Sequence, residues 1–403
     1  MFAFLLFCYI FSFYIFSFPA SMLIAAPLFL CVCVNKIWLF SFLKIWGTKF
    51  IHHVFIFQIL LIGLSGVFPL IYRTIDFSLM KLLITQLVHF ICAVFFFTYI
   101  DVKNISFEKI VKSFIFIFII QTFIEIVATS FPSSIGKVVR YFNHFDPKSV
   151  IGLGDRVRGY ALSAATTYHL SLVYGVAFIL YIKTLIESRK IKFHQLLEGL
   201  FIVVGVFFAG RTGFVGIGIG CIYFLITFKV NMQNKISAVF KLVVSIAIII
   251  SLILTVAPQK FRIMVVDYLI PYAFEFVYQK FDSGKAQTAS TNQLKEMWKS
   301  DFDEKELIFG SGKYTDDDGR YYMHVDPGVL RHLLYGGILF YLVLLLYQAS
   351  MTFPQKKYND YYIFILIFIY FFFMDFKGVT IGLNKFAFAT TLLLGFSYTR
   401  KTT

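Results

Sequence analysis

The chain has 403 residues, of which 59% are apolar and only 15% charged, with a formal net charge of +15. The apolar share exceeds that of an ordinary soluble domain, and the basic residues sit in short clusters between apolar runs, which marks membrane orientation rather than a nucleic-acid face. All five cysteines (Cys8, Cys31, Cys33, Cys92 and Cys221) lie in or beside apolar runs, so neither a disulfide framework nor a thiolate metal site is expected.

Apolar runs above about 18 residues recur from end to end, the length that crosses about 30 Å of hydrocarbon. Backbone groups in lipid must pair within their own segment, which makes these runs helices, and the short alternating segments of a β-barrel are absent. In chain order the runs predict spans near 2 to 18, 20 to 42, 54 to 72, 79 to 100, 110 to 129 and 161 to 182. Six more follow near 195 to 209, 212 to 228, 237 to 256, 328 to 349, 359 to 374 and 379 to 398. The expected fold is therefore all-α, a polytopic integral membrane protein of about a dozen helices. The first run is read as an uncleaved span, since no basic n-region or small-residue cleavage site precedes the second.

Placing the N-terminus in the cytoplasm gathers basic residues inside, among them Lys36, Lys44, Lys103, Lys109, Lys183, Arg189, Lys229, Lys356 and Arg400. The short outer links keep only Arg73, Lys81, Arg211, Lys377 and Lys385, so the positive-inside rule places both termini in the cytoplasm. Three regions result: residues 1 to 256, helical with an outer loop near 130 to 160; residues 257 to 327, a large extracytoplasmic loop; and residues 328 to 403, the last helices. The Pro, Gly and Ser content of the first loop predicts irregular structure. Within the second, FRIMVVDYLIPYAFEFVYQKF reads as an amphipathic helix at the membrane surface, and QLKEMWKSDFDEKEL as a more polar one. Loops of this length are uncommon unless functional.

Arg211 interrupts the apolar sequence FFAGRTGFVGIGIG, where a charge costs roughly 2.5 to 3.5 kcal/mol on insertion scales. It either snorkels at a tight helical hairpin or holds an anion at the outer mouth. Gly216 and Gly220 form GxxxG, read as helix packing. Arg156 and Arg158 in GLGDRVRGYALSAATTYHL are either solvated loop charges or a phosphate-binding pair, since guanidinium groups grip phosphate oxygens bidentately. His169 reads as an interior residue rather than a catalyst.

The stretch ELIFGSGKYTDDDGRYYMHVDPGVLRHLLYGGILFYL carries the most information. Gly310 and Gly312 make a turn, Asp326 and Arg331 stand at the head of a helix, and Gly336 with Gly337 permits close packing. The acid and the arginine form either a structural ion pair or part of a site. Asp316, Asp317 and Asp318 lack the alternate spacing of an EF-hand and read as a solvated acidic turn. GSGKY lacks the earlier glycine and following Ser or Thr of a phosphate-binding P-loop, and HExxH, paired CxxC and GxSxG are absent. ATP-driven transport, zinc hydrolysis and serine esterase chemistry lose their support.

The GRTG turn at Gly210 to Gly213, RVRGY at Arg156 to Tyr160, and FGSGKY followed by HVDPGVLRHLLYGGILFYL resemble the Wzy-type polymerases of O-antigen and capsular polysaccharide and the related O-antigen ligases. The overall layout resembles theirs too, with its large late outer loop. The resemblance implies a GT-C-like glycosyltransferase of the bacterial inner membrane acting on undecaprenyl-pyrophosphate-linked oligosaccharides. It implies that Arg156, Arg158 and Arg211, with Arg331, bind pyrophosphate, alongside Tyr160 and Tyr321 as substrate contacts. Ligases carry a catalytic histidine near the start of the corresponding late helix; Asp326, two residues after His324, is closer to the polymerase pattern.

The chemistry is consistent with the residues. Outside the cytoplasm the donor must carry its own leaving group, a lipid pyrophosphate, and arginines stabilise the charge that grows there. Asp326 or His324 accepts the proton of the attacking sugar hydroxyl. Tyr314, Tyr321 and Tyr322 either stack on sugars or pack at the interface. The scheme needs no cofactor or metal. Expected partners are the lipid-linked oligosaccharide, membrane lipids and a chain-length regulator, with no nucleic acid. A ligase acting on a lipid A core and a lipid-linked oligosaccharide flippase are the alternatives.

Overall fold

The computed structural model describes residues 1–144, 160–164, 167–188, 192–227, 288–354 and 361–401, together with isolated positions between 244 and 281. Helices dominate the described residues, and the strands are a two-residue hairpin, Tyr14–Ile15 with Phe18–Pro19. Among the described residues five helices are long and apolar enough to cross a membrane: Lys49–Ile71, Ser78–Val102, Phe107–Ser130, Tyr168–Glu187 and Gly328–Thr352. At 1.5 Å per residue each has the reach of a bilayer core, as expected of an all-α membrane protein.

The N-terminal region departs from expectation. The first helix is only Phe2–Phe11, ending where Ser12 adopts φ 43, and the hairpin follows before Ala20. Ten residues span about 15 Å, half of the hydrocarbon thickness. The run expected near 20 to 42 is two helices, Ala20–Val34 and Lys36–Trp46, bent by 110°. Asn35 makes the break: in extended conformation it caps the second helix, its Oδ1 accepting from the Ile37 N–H at 2.9 Å. The loop near 130 to 160, read as irregular, begins with a helix, Ile135–Asn143. The expected span near 237 to 256 falls almost wholly outside the described residues, and of the amphipathic helix of the second loop the structure describes a short helix, Gln259–Ile263, and scattered positions up to Phe281.

The chain divides into two compact units, Met1–Ala20 with Val111–Gln287, and Ser21–Ile110 with Thr288–Thr403. In the first, Tyr168–Glu187 packs on Phe193–Ala209 and Gly213–Thr227. A Cβ on Gly216 would lie 2.4 Å from the Gly175 Cα, so the GxxxG motif brings backbones together as in other membrane helix pairs. Gly216→Leu is expected to separate this pair and lower the yield of folded protein in detergent, read by size-exclusion chromatography.

In the second unit, Gly328–Thr352 lies against Lys49–Ile71 and Glu304–Phe309, and also packs on Tyr362–Asp375 and Lys385–Lys401. Buried amides tie the helices together: Gln58 Nε2 donates to the Leu83 carbonyl at 2.8 Å, Gln86 Nε2 to the Gly382 carbonyl at 2.9 Å, and the Tyr347 hydroxyl to Gln58. Such bonds supply the cohesion that the hydrophobic effect cannot give between helices in lipid.

Gly337 interrupts the Gly328–Thr352 helix with φ 70 and ψ −169. A Cβ there would sit 2.1 Å from the Ile308 carbonyl oxygen, and one on Gly310 would sit 2.5 Å from the Gly336 Cα. Gly336 and Gly337 thus allow the close packing anticipated for them, and Gly310, read as a turn residue, is the backbone that packs there. The break frees helix carbonyls, and the loop supplies their donors: Ser311 N–H to Leu334 at 2.7 Å and Gly312 N–H to Tyr335 at 2.8 Å. Gly337→Ala combines a disfavoured backbone with a clash and is expected to cost about 2 to 4 kcal/mol, measurable as a lower thermal midpoint.

Candidate functional site

The site in the second unit starts from a tight hairpin. Asp316 N–H donates to the Arg320 carbonyl at 2.8 Å, Gly319 turns the chain with φ 78, and Thr315 pairs with Tyr321. This reversal brings Tyr314 and Tyr321 near each other although seven positions separate them. Asp76, in the turn between Lys49–Ile71 and Ser78–Val102, holds the hairpin. Its Oδ2 accepts from the N–H groups of Tyr314 at 2.6 Å and Thr315 at 2.8 Å, and its Oδ1 from the Ser78 N–H at 3.0 Å. Burial pushes the Asp76 carboxyl up, but the bonds from Ser78, Thr315 and Tyr314 outweigh it and hold the group below the ordinary range. Tyr72 and Thr74 add hydroxyl bonds to the Phe309 and Gly312 carbonyls, at 2.8 and 2.9 Å.

Arg331 enters from the first turn of the Gly328–Thr352 helix. Pro327 precedes that helix, where its missing N–H costs nothing, and Val325, Leu330 and Leu334 anchor it against Phe302, Leu307 and Tyr322. The guanidinium carbon lies 4.2 Å from the Tyr314 ring centroid and 3.4 Å from that of Tyr321. Desolvated cation–π contacts contribute up to about 2 kcal/mol. Arg331 is 6% exposed, and its Nε and Nη2 have no hydrogen-bond partner among the described residues. A buried cation held by ring faces and short of acceptors is suited to an anion presenting several oxygens. Burial raises the Tyr314 phenol to about 12, against the pull of Arg331, so the ring stays neutral.

Asp326 is exposed beside this cage, its carboxyl raised by the surrounding protein and drawn back by Arg331. The structure therefore gathers Arg331, Tyr314, Tyr321 and Asp326 in one neighbourhood. His324 is turned elsewhere. Its Nε2 lies 3.3 Å from Asp318 Oδ2 and 3.9 Å from Asp316 Oδ2, so it belongs to the acidic turn, and Asp326 is the better-placed base. Asp318 is held below the usual carboxylate range by the Arg320 N–H first and by His324 among the lesser causes.

The remaining candidates belong to the first unit. Arg211 forms an ion pair with Glu275 at 2.5 Å, so an anion bound there would compete with a carboxylate. Tyr160 is buried, with the Arg140 guanidinium 4.3 Å over its ring. It packs with Ala128 and Val139, which makes it a support for the Ile135–Asn143 helix. Arg156 and Arg158 lie outside the described residues. Glu275→Gln is expected to release Arg211 and raise its affinity for inorganic pyrophosphate severalfold; unchanged calorimetric binding would show that the pair does not compete.

Sequence reasoning missed several groups. Asp76 acts through a partner 238 positions away, beyond any local pattern. His332 and Asp375 are both fully buried, with His332 Nε2 3.9 Å from Asp375 Oδ1; an acid ending the apolar run YIFILIFIYFFFMD was a usable signal. Glu125, in the apolar middle of the Phe107–Ser130 helix, accepts from the Tyr174 hydroxyl at 3.2 Å. Among the described residues no cluster of three or more metal-ligating side chains occurs. Comparison with family models, curated proteins and solved structures gave no match.

Proposed function

We propose that this chain is a membrane glycosyltransferase that polymerises undecaprenyl-pyrophosphate-linked oligosaccharide units at the periplasmic face of the bacterial inner membrane. The full reading includes about twelve spans in a GT-C-like arrangement and a chain-length regulator as partner. The observation that carries it is Arg331, buried between Tyr314 and Tyr321 with unpartnered N–H groups and with Asp326 beside it. Arg331 would bind the diphosphate of the donor. As the acceptor hydroxyl attacks the anomeric carbon, the bond from that carbon to the phosphate oxygen breaks and undecaprenyl pyrophosphate leaves. The hydroxyl proton passes to Asp326. Partial burial raises the Asp326 carboxyl pKa and so makes the carboxylate a stronger base, and Arg331 offsets the charge developing on the leaving group.

The test is purified protein in detergent with a lipid-linked repeat unit. Glycan ladders without added nucleotide are expected, and Asp326→Asn should slow their growth by about a hundredfold, the usual scale for a general base. Ladders at the wild-type rate from Asp326→Asn would exclude that residue, and none from the wild-type protein would exclude the reaction. One observation favours a second reading, a flippase for the same substrate. Glu125 is buried in an apolar helix, and intramembrane acids commonly mark transport pathways. Proteoliposomes that move the lipid-linked unit between leaflets without joining units would establish that reading instead.

A further inference from the structure

Behind the Arg331 cage the second unit encloses a group of polar side chains that the glycosyl transfer just described does not use. His332 is fully buried, and neither ring nitrogen has a hydrogen-bond partner among the described residues. Asp375, equally buried, accepts at Oδ1 from the N–H groups of Thr380 at 2.8 Å and Ile381 at 3.0 Å, and its Oδ2 has no hydrogen-bond partner among the described residues. The Tyr341 ring stacks on His332 at 5.9 Å. Its hydroxyl interacts with the Asp375 carboxyl without reaching hydrogen-bond geometry. Gly328 brings the helix head onto this carboxylate, since a Cβ there would lie 2.2 Å from Asp375 Oδ1.

Each buried polar group left unpaired costs about 1 to 3 kcal/mol, so His332, Asp375, Tyr341 and the inner face of Arg331 together are too costly to stand dry. Water is the partner that fits. A separation of 3.9 Å is too long for a direct bond and short enough for one water to touch both groups. Buried waters of this kind take two to four polar partners, and these side chains offer that number.

We propose that His332, Asp375 and Tyr341 hold a small water cluster that receives the proton released at the Arg331 site. This rests on the glycosyl-transfer reading above. The acceptor O–H bond breaks at the cage and the proton moves through Asp326 and water to one nitrogen of His332. The other nitrogen gives its proton through water to Asp375 Oδ2, where the new O–H bond forms. The relay ends on an acid, so a carboxylate is neutralised and no second cation accumulates beside Arg331. Among the described residues, the titratable and charged groups that act on it are Arg331 and Tyr341 on its own helix and Tyr314 from the hairpin, while Asp326 and Tyr321 meet it through Arg331.

His332→Gln keeps hydrogen-bonding capacity but cannot exchange protons between two nitrogens, and Asp375→Asn keeps an oxygen for Thr380 and Ile381. The relay delivers protons to ionised carboxylates, so the wild-type rate should rise with pH. Both variants are expected to bind the lipid-linked unit as the wild type does, to extend glycans at least tenfold more slowly, and to show a shallower rise, the part that Asp326 alone supports. A structural role alone would lower the rate equally at every pH. Radiolytic labelling, in which X-rays form hydroxyl radicals from bound water, needs no turnover and should mark His332 and Tyr341 in the wild-type protein. Wild-type rates and pH profiles in both variants overturn the relay, and absence of label at both residues overturns the water cluster. A wild-type protein that makes no ladders removes the glycan-joining function and the relay with it, while the label still decides whether water is there.

Discussion

Arg331→Lys should reduce glycan extension by at least a hundredfold while membrane insertion stays normal, and Arg331→Ala should do no better. Lysine keeps the charge but loses the planar face that lies 3.4 Å from the Tyr321 ring centroid and the parallel N–H groups that match a diphosphate. Removing one preorganised charged donor from a leaving group costs about 2.7 to 4 kcal/mol, which is a factor of a hundred or more in rate. Chain-length ladders from purified variants measure this directly. Tyr321→Phe keeps the ring and should stay within about threefold of the wild type, whereas Tyr321→Ala removes a cation–π partner and should fall between the two. A lysine variant with full activity would remove Arg331 from the site.

Asp76→Ala should unfasten the hairpin and thereby abolish activity without touching substrate. The carboxylate receives three backbone N–H bonds from Ser78, Tyr314 and Thr315. Its loss is expected to destabilise the loop by about 2 to 3 kcal/mol, after allowance for partial exposure. Limited proteolysis between residues 310 and 321 should quicken accordingly. The pH dependence has a definite sign. Because the folded carboxyl titrates below its ordinary value, its stabilisation is fully present above about pH 4, where the unfolded group is ionised. It is lost as the pH falls through the folded value. The hairpin of the wild-type protein should therefore become protease-sensitive in acid below about pH 4, and that of Asp76→Asn should be sensitive at every pH. Acid-stable protection in the wild type would show that other contacts hold the loop.

Much of the helical fold was legible because a long apolar run in lipid has one solution. Lys49–Ile71, Ser78–Val102, Tyr168–Glu187 and Gly328–Thr352 lie within several residues of the expected spans. The exceptions arise from single polar or flexible positions inside such runs. Asn35 caps a new helix and turns a continuous apolar stretch by 110°, while Ser12 ends the first helix after ten residues. Neither disturbs average hydropathy, so neither registers in it. At the site, the sequence placed Arg331 and Asp326 at the head of a helix but could not show that Tyr314 and Tyr321 close on the guanidinium from a hairpin. It also favoured Arg211 over Arg331, because an arginine inside GRTG is conspicuous; the ion pair with Glu275 is a distant contact that no local motif announces. The contact between the buried His332 and Asp375 is likewise distant in sequence, although the acid that ends YIFILIFIYFFFMD could have drawn notice by itself.

The break at Gly337 has a mechanical consequence. The Leu334 and Tyr335 carbonyls, freed there, accept from the Ser311 and Gly312 N–H groups, so the hydrogen-bond ladder passes from one helical segment into the loop ahead of the hairpin and not straight down the rod. Inserting one residue into an unbroken α-helix would swivel everything above it by about 100°. Here the swivel would stop at residue 337, and the segment bearing Arg331 would keep its bearing. A length change in the lower segment would thereby be insulated from the guanidinium.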